Sequence, residues 1–189
     1  MKLLVTGCLG FIGYNLCIEI LQNTNFKIIG VDKLSLYTNS INKIKLQKLL
    51  SFKNFKYKKS NISNRKSIEN IFLKNKIYAV IHLAGEAGVR NSVKNPKLFL
   101  SSNLVGFLNI IELIREYKIK NFYFASSSSV YGDAESYPTS ETSNTDQPLS
   151  FYGATKKSNE VIAYSYAHLY NIKTIGLRFF TVYGPFGRT

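Results

Sequence analysis

The chain has 189 residues and 45% hydrophobic content, enough for one good core and too apolar for a disordered segment. Lysine and arginine number 25 against 11 aspartates and glutamates, a formal net charge of +14. The lysines are spread over apparent helices and loops, many of them between 43 and 76, with no arginine-rich run or RNA-binding aromatic signature. The charge therefore reads as a compositional habit, and no nucleic-acid partner is expected. Cys8 and Cys17 belong to no CxxC or Cys/His cluster, so no metal site is expected and reduced thiols of a cytoplasmic protein fit best. The opening run is broken by Thr6, glycines, Asn15 and Glu19 with no A-x-A site after it, unlike a signal peptide. No run of 18 apolar residues suggests a membrane span.

In chain order, short β-branched runs alternate with longer amphipathic segments. "KLLVTG" (2–7) predicts a strand entering a glycine turn, and 11–22 has helical spacing through Phe11, Ile12, Leu16, Ile20 and Leu21. "KIIGVD" (27–32) predicts a second strand, 40–50 a helix, "FKYKKSNI" (55–62) a third strand and 65–74 a short helix. "YAVIHLAG" (78–85) reads as a buried strand. A long helix follows over 95–118, with Asn95 placed to cap it and Pro96 suited to its first turn. "KNFYFASSSS" (120–129) is a strand, 133–150 a polar surface loop, 150–170 a helix and "KTIGLRFF" (173–180) a strand. Such alternation predicts an α/β fold: a doubly wound parallel sheet, or Rossmann fold, with helices on both faces.

Two motifs carry chemistry. "TGCLGFIG" sets Gly7, Gly10 and Gly13 between a strand and a helix. There they allow a tight turn, a close approach of backbone to a pyrophosphate, and close helix–strand packing, with the helix N-terminus facing the phosphates. Asp32 ends the second strand 19 residues beyond Gly13. A carboxylate there accepts both ribose hydroxyls of NAD and repels the 2′-phosphate of NADP, while the adjacent Lys33 softens that preference. The second motif is "SFYGATKKSNE" (150–160), with Tyr152 and Lys156 one helical turn apart. Such side chains lie about 6 Å apart at Cβ, and a fixed ammonium beside a phenol favours the phenolate. By itself this spacing also suits an amphipathic helix with one buried tyrosine and one solvated lysine.

Together with "HLAGEAGVR" (82–90), "SSSSVYG" (126–132) and "LRFFTVYGP" (177–185), these motifs resemble, in order and over the whole chain, the extended short-chain dehydrogenase/reductase family of NAD-dependent nucleotide-sugar epimerases and dehydratases. Within it the resemblance is closest to the UDP-glucuronate 4-epimerases. It implies an isomerase of polysaccharide biosynthesis that oxidises and re-reduces a UDP-sugar at C4. In such an enzyme Tyr152 moves the proton, Lys156 binds the nicotinamide ribose, and Ser127, or its neighbour Ser128, holds the reacting oxygen. It also implies cofactor contacts from Gly7, Gly10, Phe11, Ile12, Gly13, Asp32, Asn61, Ile62, Leu83, Ala84, Gly85, Asn103 and Phe180. Arg90, Ser127, Thr181 and Arg188 are implied for the substrate, since an arginine fork suits a carboxylate. His82 and His168 are read as structural.

The chain departs from the family where Gly85-Glu86 replaces Ala-Gln and where Asn61 replaces an aspartate. A sugar 4,6-dehydratase usually carries Thr-Asp-Glu at Ser127–Ser129, so the resemblance favours epimerisation. Another UDP-sugar epimerase, a dehydratase, or an inactive NAD-binding fragment stay open. The expected division is an NAD-binding domain over 1–180 and the start of a truncated substrate-binding region over 181–189. Family members commonly pair through a four-helix bundle, here implying a homodimer through the helices at 95–118 and 150–170.

Overall fold

The computed structural model describes residues 1–34, 39–133 and 138–187. Six strands form one parallel sheet in the order β3-β2-β1-β4-β5-β6. They are β1 (Lys2–Thr6), β2 (Lys27–Asp32), β3 (Phe55–Lys59), β4 (Ala79–His82), β5 (Asn121–Ser127) and β6 (Lys173–Phe179). The order reverses between β1 and β4, and a ligand crevice is expected at the carboxyl ends of those strands. The strands in the middle of the sheet are buried on both faces, as in β1 with Leu3, Leu4 and Val5, which is why they read as apolar runs rather than alternating ones.

Helices α1 (Phe11–Asn23), α2 (Asn39–Leu50), α3 (Arg65–Leu73) and α4 (Val89–Lys94) connect the first strands, with a helical rod over Pro96–Glu116 after them. The rod is α5 (Pro96–Phe99), a π-helical stretch (Leu100–Val105) and α6 (Gly106–Glu116). Its length and composition would suffice to cross a membrane, but half of its apolar window is buried in the protein. Phe107, Ile110, Ile111, Leu113 and Ile114 are fully buried against Phe122, Phe124 and Val80, with Phe107 5.6 Å from the Phe122 ring centre and 5.4 Å from that of Phe124. A second core, built from Val5, Cys8, Leu9, Cys17, Ile28, Leu49 and Phe55, fills the other side of the sheet. Cys8 and Cys17 are free buried thiols.

Helix α7 (Phe151–Tyr170) starts one residue later than expected because Ser150 is its N-cap, accepting from the Gly153 N–H at 3.0 Å. Asn95 takes the N-cap position of α5 without capping it; its amide donates to Asn91 instead. The strand expected over 55–62 ends at Lys59, and the one over 78–85 spans only Ala79–His82. In both cases the residues that follow the strand, 60–62 and 83–85, form loops at the crevice.

Candidate active site

At the carboxyl end of β1 the chain turns through Gly7, whose φ of +74° favours glycine. A Cβ on Gly7 would lie 2.7 Å from the Ala84 nitrogen, and one on Gly13 only 2.1 Å from the Gly7 carbonyl oxygen. Three chain segments thus meet with no room for side chains. Gly10 begins α1 with no side-chain cap, so the first N–H groups of the helix face the crevice, an electropositive cradle for a phosphate. The residues present fit a dinucleotide.

The crevice has a volume of about 440 Å³. It brings together Gly7, Gly10, Phe11, Asp32, Asn61, Ile62, Leu83, Ala84 and Gly85 from the sequence-derived set. Asp32 is fixed from both sides. Its Oδ2 accepts from the Leu9 N–H and its Oδ1 from the Leu34 N–H, each at 3.1 Å. The Asn61 amide oxygen accepts from the Ser63 N–H at 3.0 Å. Ile62 is buried, and its side chain fills the space that Gly106 leaves open on the rod.

Lys45 and the pairing of Lys33 with Glu86 escaped the sequence reading. Lys45, from α2, is 4% exposed. Its Nζ donates to the Leu9 carbonyl at 3.2 Å and lies 5.7 and 5.5 Å from the Tyr14 and Phe186 ring centres. Burial lowers its pKa from the usual lysine value, and Asp32 opposes that shift. Lys33 and Glu86 form an ion pair of 2.6 Å at the rim. Lys45 looked like any of the many lysines after 43, and the Lys33–Glu86 pair joins residues 53 apart in sequence, so no local signal marks either.

The second motif lies beyond Gly85. Tyr152 and Lys156 stand on the first two turns of α7, with the lysine Nζ 5.9 Å from the tyrosine ring centre. Lys156 is 6% exposed and donates to the Ala125 carbonyl of β5 at 3.0 Å. Burial pulls its pKa down to about 8. A Cβ added to Gly85 would sit 3.6 Å from that Nζ, so the ammonium adjoins the crevice wall. The Tyr152 N–H donates to Ser92 Oγ at 3.1 Å, and the Tyr152 ring packs edge-on against Phe99. Asn103, buried in the π-helical stretch, knits the site together. Its Oδ1 accepts from the Glu86 N–H at 2.8 Å, and its Nδ2 donates to the Glu86 carbonyl and to Thr155 Oγ1.

Ser127 ends β5 and is buried; its Oγ accepts from the Ser129 N–H at 3.1 Å and donates to Ser129 Oγ. Ser128 begins the short 3-10 turn Ser128–Tyr131 that follows. Ser126, the first of the serine run, donates to Glu160, which pairs bidentately with Arg178 of β6. Ile12 sits in the first turn of α1 but is not part of the crevice lining. Phe180 is placed elsewhere. It stacks on Tyr131 over a second cavity with Arg178 and Glu160, and does not line the crevice. Arg90 and Thr181 are exposed and without a described bond to the site. Arg188 lies outside the described residues. His82 is fully buried, bonded to Thr6 Oγ1 at 2.7 Å, and held neutral by burial and the Lys156 charge. His168 is exposed in the last turn of α7. No cluster of metal-ligating residues occurs among the described residues.

Comparison with known proteins matches this arrangement. A family model described as GDP-mannose 4,6 dehydratase covers residues 4–189. Protein CapI of Staphylococcus aureus is 46% identical over 188 residues, which are 100% of this chain and 56% of that protein. A UDP-glucuronate 4-epimerase of Thermodesulfobacterium geofontis is 42% identical over 186 residues, 98% of this chain and 57% of that one. The crystal structure of a Bacillus cereus UDP-glucuronic acid 4-epimerase, in complex with UDP-glucuronic acid and NAD, superposes with a TM-score of 0.88 at 34% identity, over 98% of this chain and 58% of that one. The chain therefore spans little more than half the length of the relatives it matches. With this glycine turn, this Asp32 and this Tyr152–Lys156 pair on one parallel sheet, the chain belongs to the GDP-mannose 4,6 dehydratase family of the extended short-chain dehydrogenases/reductases, the NAD-dependent epimerases and dehydratases.

Proposed function

We propose that this chain is the cofactor-binding part of an NAD-dependent nucleotide-sugar 4-epimerase acting between UDP-glucuronate and UDP-galacturonate. The observation that carries the reading is the meeting of Lys156 with Gly85 at the end of the crevice, with Tyr152 one turn before the lysine. When bound, NAD supplies a two-electron acceptor that returns the same electrons, so no net oxidation results. The chain's own residues then divide the work. Gly7, Gly10 and the α1 N-terminus take the pyrophosphate, Asp32 the adenosine ribose, and Lys156 the nicotinamide ribose. Tyr152 accepts the proton of the sugar 4-hydroxyl through its phenolic oxygen and returns it to that same oxygen once C4 has been re-reduced on its other face. Ser127 holds the reacting oxygen, with Ser128 the neighbouring candidate. Arg90, Thr181 and Arg188 are proposed for the sugar and its carboxylate.

Dehydration is the less favoured chemistry, because Ser127, Ser128 and Ser129 offer no carboxyl group to move the protons of an elimination. Residues 1–180 are proposed as the cofactor domain and 181–189 as the start of a substrate region. A homodimer is proposed through the rod and α7, supported by exposed apolar side chains on both, among them Leu98, Leu108, Val161 and Tyr164. A cytoplasmic setting is proposed on the two free thiols. The function is tested by product analysis with a panel of UDP-sugars on a form lengthened to the span of its relatives. Interconversion of UDP-glucuronate and UDP-galacturonate is expected, and release of a dehydrated sugar would overturn the reading.

A further inference from the structure

The adenosine end of the crevice holds two ammonium and two carboxylate groups: Lys33, Lys45, Asp32 and Glu86. Three of them have fixed positions. Both oxygens of Asp32 accept backbone N–H bonds from Leu9 and Leu34. Lys45 is sunk between Tyr14 and Phe186 with its Nζ on the Leu9 carbonyl. The backbone of Glu86 is clamped by both ends of the Asn103 amide. Lys33 alone is loose. Its side chain is 41% exposed, and its single described partner is the Glu86 carboxylate, itself 23% exposed. Lys33 follows β2 and Glu86 follows β4, with β1 between those strands in the sheet, so the pair crosses the mouth of the crevice.

A lysine directly after the ribose-binding aspartate is the group placed to receive a 2′-phosphate, as a flexible point charge. Glu86 holds that lysine by its charge and adds a second negative group to the one on Asp32. We propose that Glu86 is a coenzyme-specificity residue: by engaging Lys33 it denies that ammonium to a 2′-phosphate and keeps the crevice selective for NAD over NADP. The inference rests on the reading of this crevice as the dinucleotide site. Neutralising Glu86 leaves Lys33 free and the local charge positive by one, which favours a ligand that carries about two more negative charges at neutral pH. NAD has no phosphate there, so its affinity is indifferent to the change.

The test is fluorescence titration of the purified chain, freed of resident dinucleotide, with NADH and with NADPH. The chain is compared with Glu86→Gln, Lys33→Met and the double variant. Glu86→Gln is expected to tighten NADPH about two- to fivefold, the range of a single partly exposed charge pair, with NADH unchanged. In the Lys33→Met background the same substitution is expected to have a clearly smaller effect, that of the lost carboxylate charge alone. An equal effect on both coenzymes, no effect on NADPH, or an effect undiminished by the loss of Lys33 would overturn the proposal. Unchanged NADH binding in each variant shows that the fold is intact. Failure of NADH itself to bind the unaltered chain would overturn the dinucleotide reading instead.

Discussion

Lys156 carries a measurable signature of its burial. An unfolded lysine keeps its proton up to about 10.5, whereas burial in the fold lowers that to about 8. Between those values the unfolded chain binds more protons, so this group's contribution to stability rises with pH across that window. Dinucleotide binding has the opposite trend, because the ammonium is the form proposed to hold the ribose. NAD affinity is expected to fall as pH rises through about 8, and titration calorimetry of Lys156→Met is expected to show no such step. Gly13 gives a purely steric prediction. With its Cβ 2.1 Å from the Gly7 oxygen, Gly13→Ala forces α1 away from β1. Loss of NAD binding is expected, together with a lowered denaturation midpoint. Both residues were legible in the sequence, since their chemistry depends on spacing within one turn or one helix. Lys45 and the Lys33–Glu86 pair were not, because their meaning comes from strands brought together by the sheet.

At the scale of elements, α7 decides where Tyr152 stands. Its start is fixed by Ser150, and its length is tied to α6 through Tyr166, whose hydroxyl donates to Glu112 while Arg115 grips the same carboxylate. Ser150→Ala is expected to cost about 1 kcal/mol in urea denaturation, the usual loss of an N-cap. Tyr166→Phe is expected to cost about 1 kcal/mol by losing a charge-assisted bond. Strand and helix periodicity placed all six strands and the long helices. It missed α4, whose sequence VRNSVK buries only Ser92 and shows no apolar stripe. It also missed the π-helical stretch Leu100–Val105, where the widened turn seats Asn103 against Glu86 and Thr155. Six residues change nothing in hydrophobic spacing, so that irregularity is written in tertiary contacts alone.

For the whole molecule, the sheet order sets the crevice over β1 and β4 and puts α7 beside its far end. The exposed Tyr164 and Val161 on α7 are proposed to meet a second copy. Tyr164→Glu is expected to shift sedimentation from dimer to monomer in the form lengthened to its relatives' span. The fold class was plain from the strand–helix alternation, and the order of motifs along the chain made the family legible. The proposed sugar was less so, since Arg90 and Thr181 are exposed, with no bond to the site among the described residues. The claim on which the account turns is that the Tyr152 phenol moves the proton at C4 beside a bound NAD. The most direct measurement is turnover of UDP-glucuronate by Tyr152→Phe in the lengthened form, with NAD binding measured in parallel. The account predicts NAD held as tightly as before and turnover lowered by about 100-fold or more. Turnover within a few-fold of the unaltered protein would contradict it.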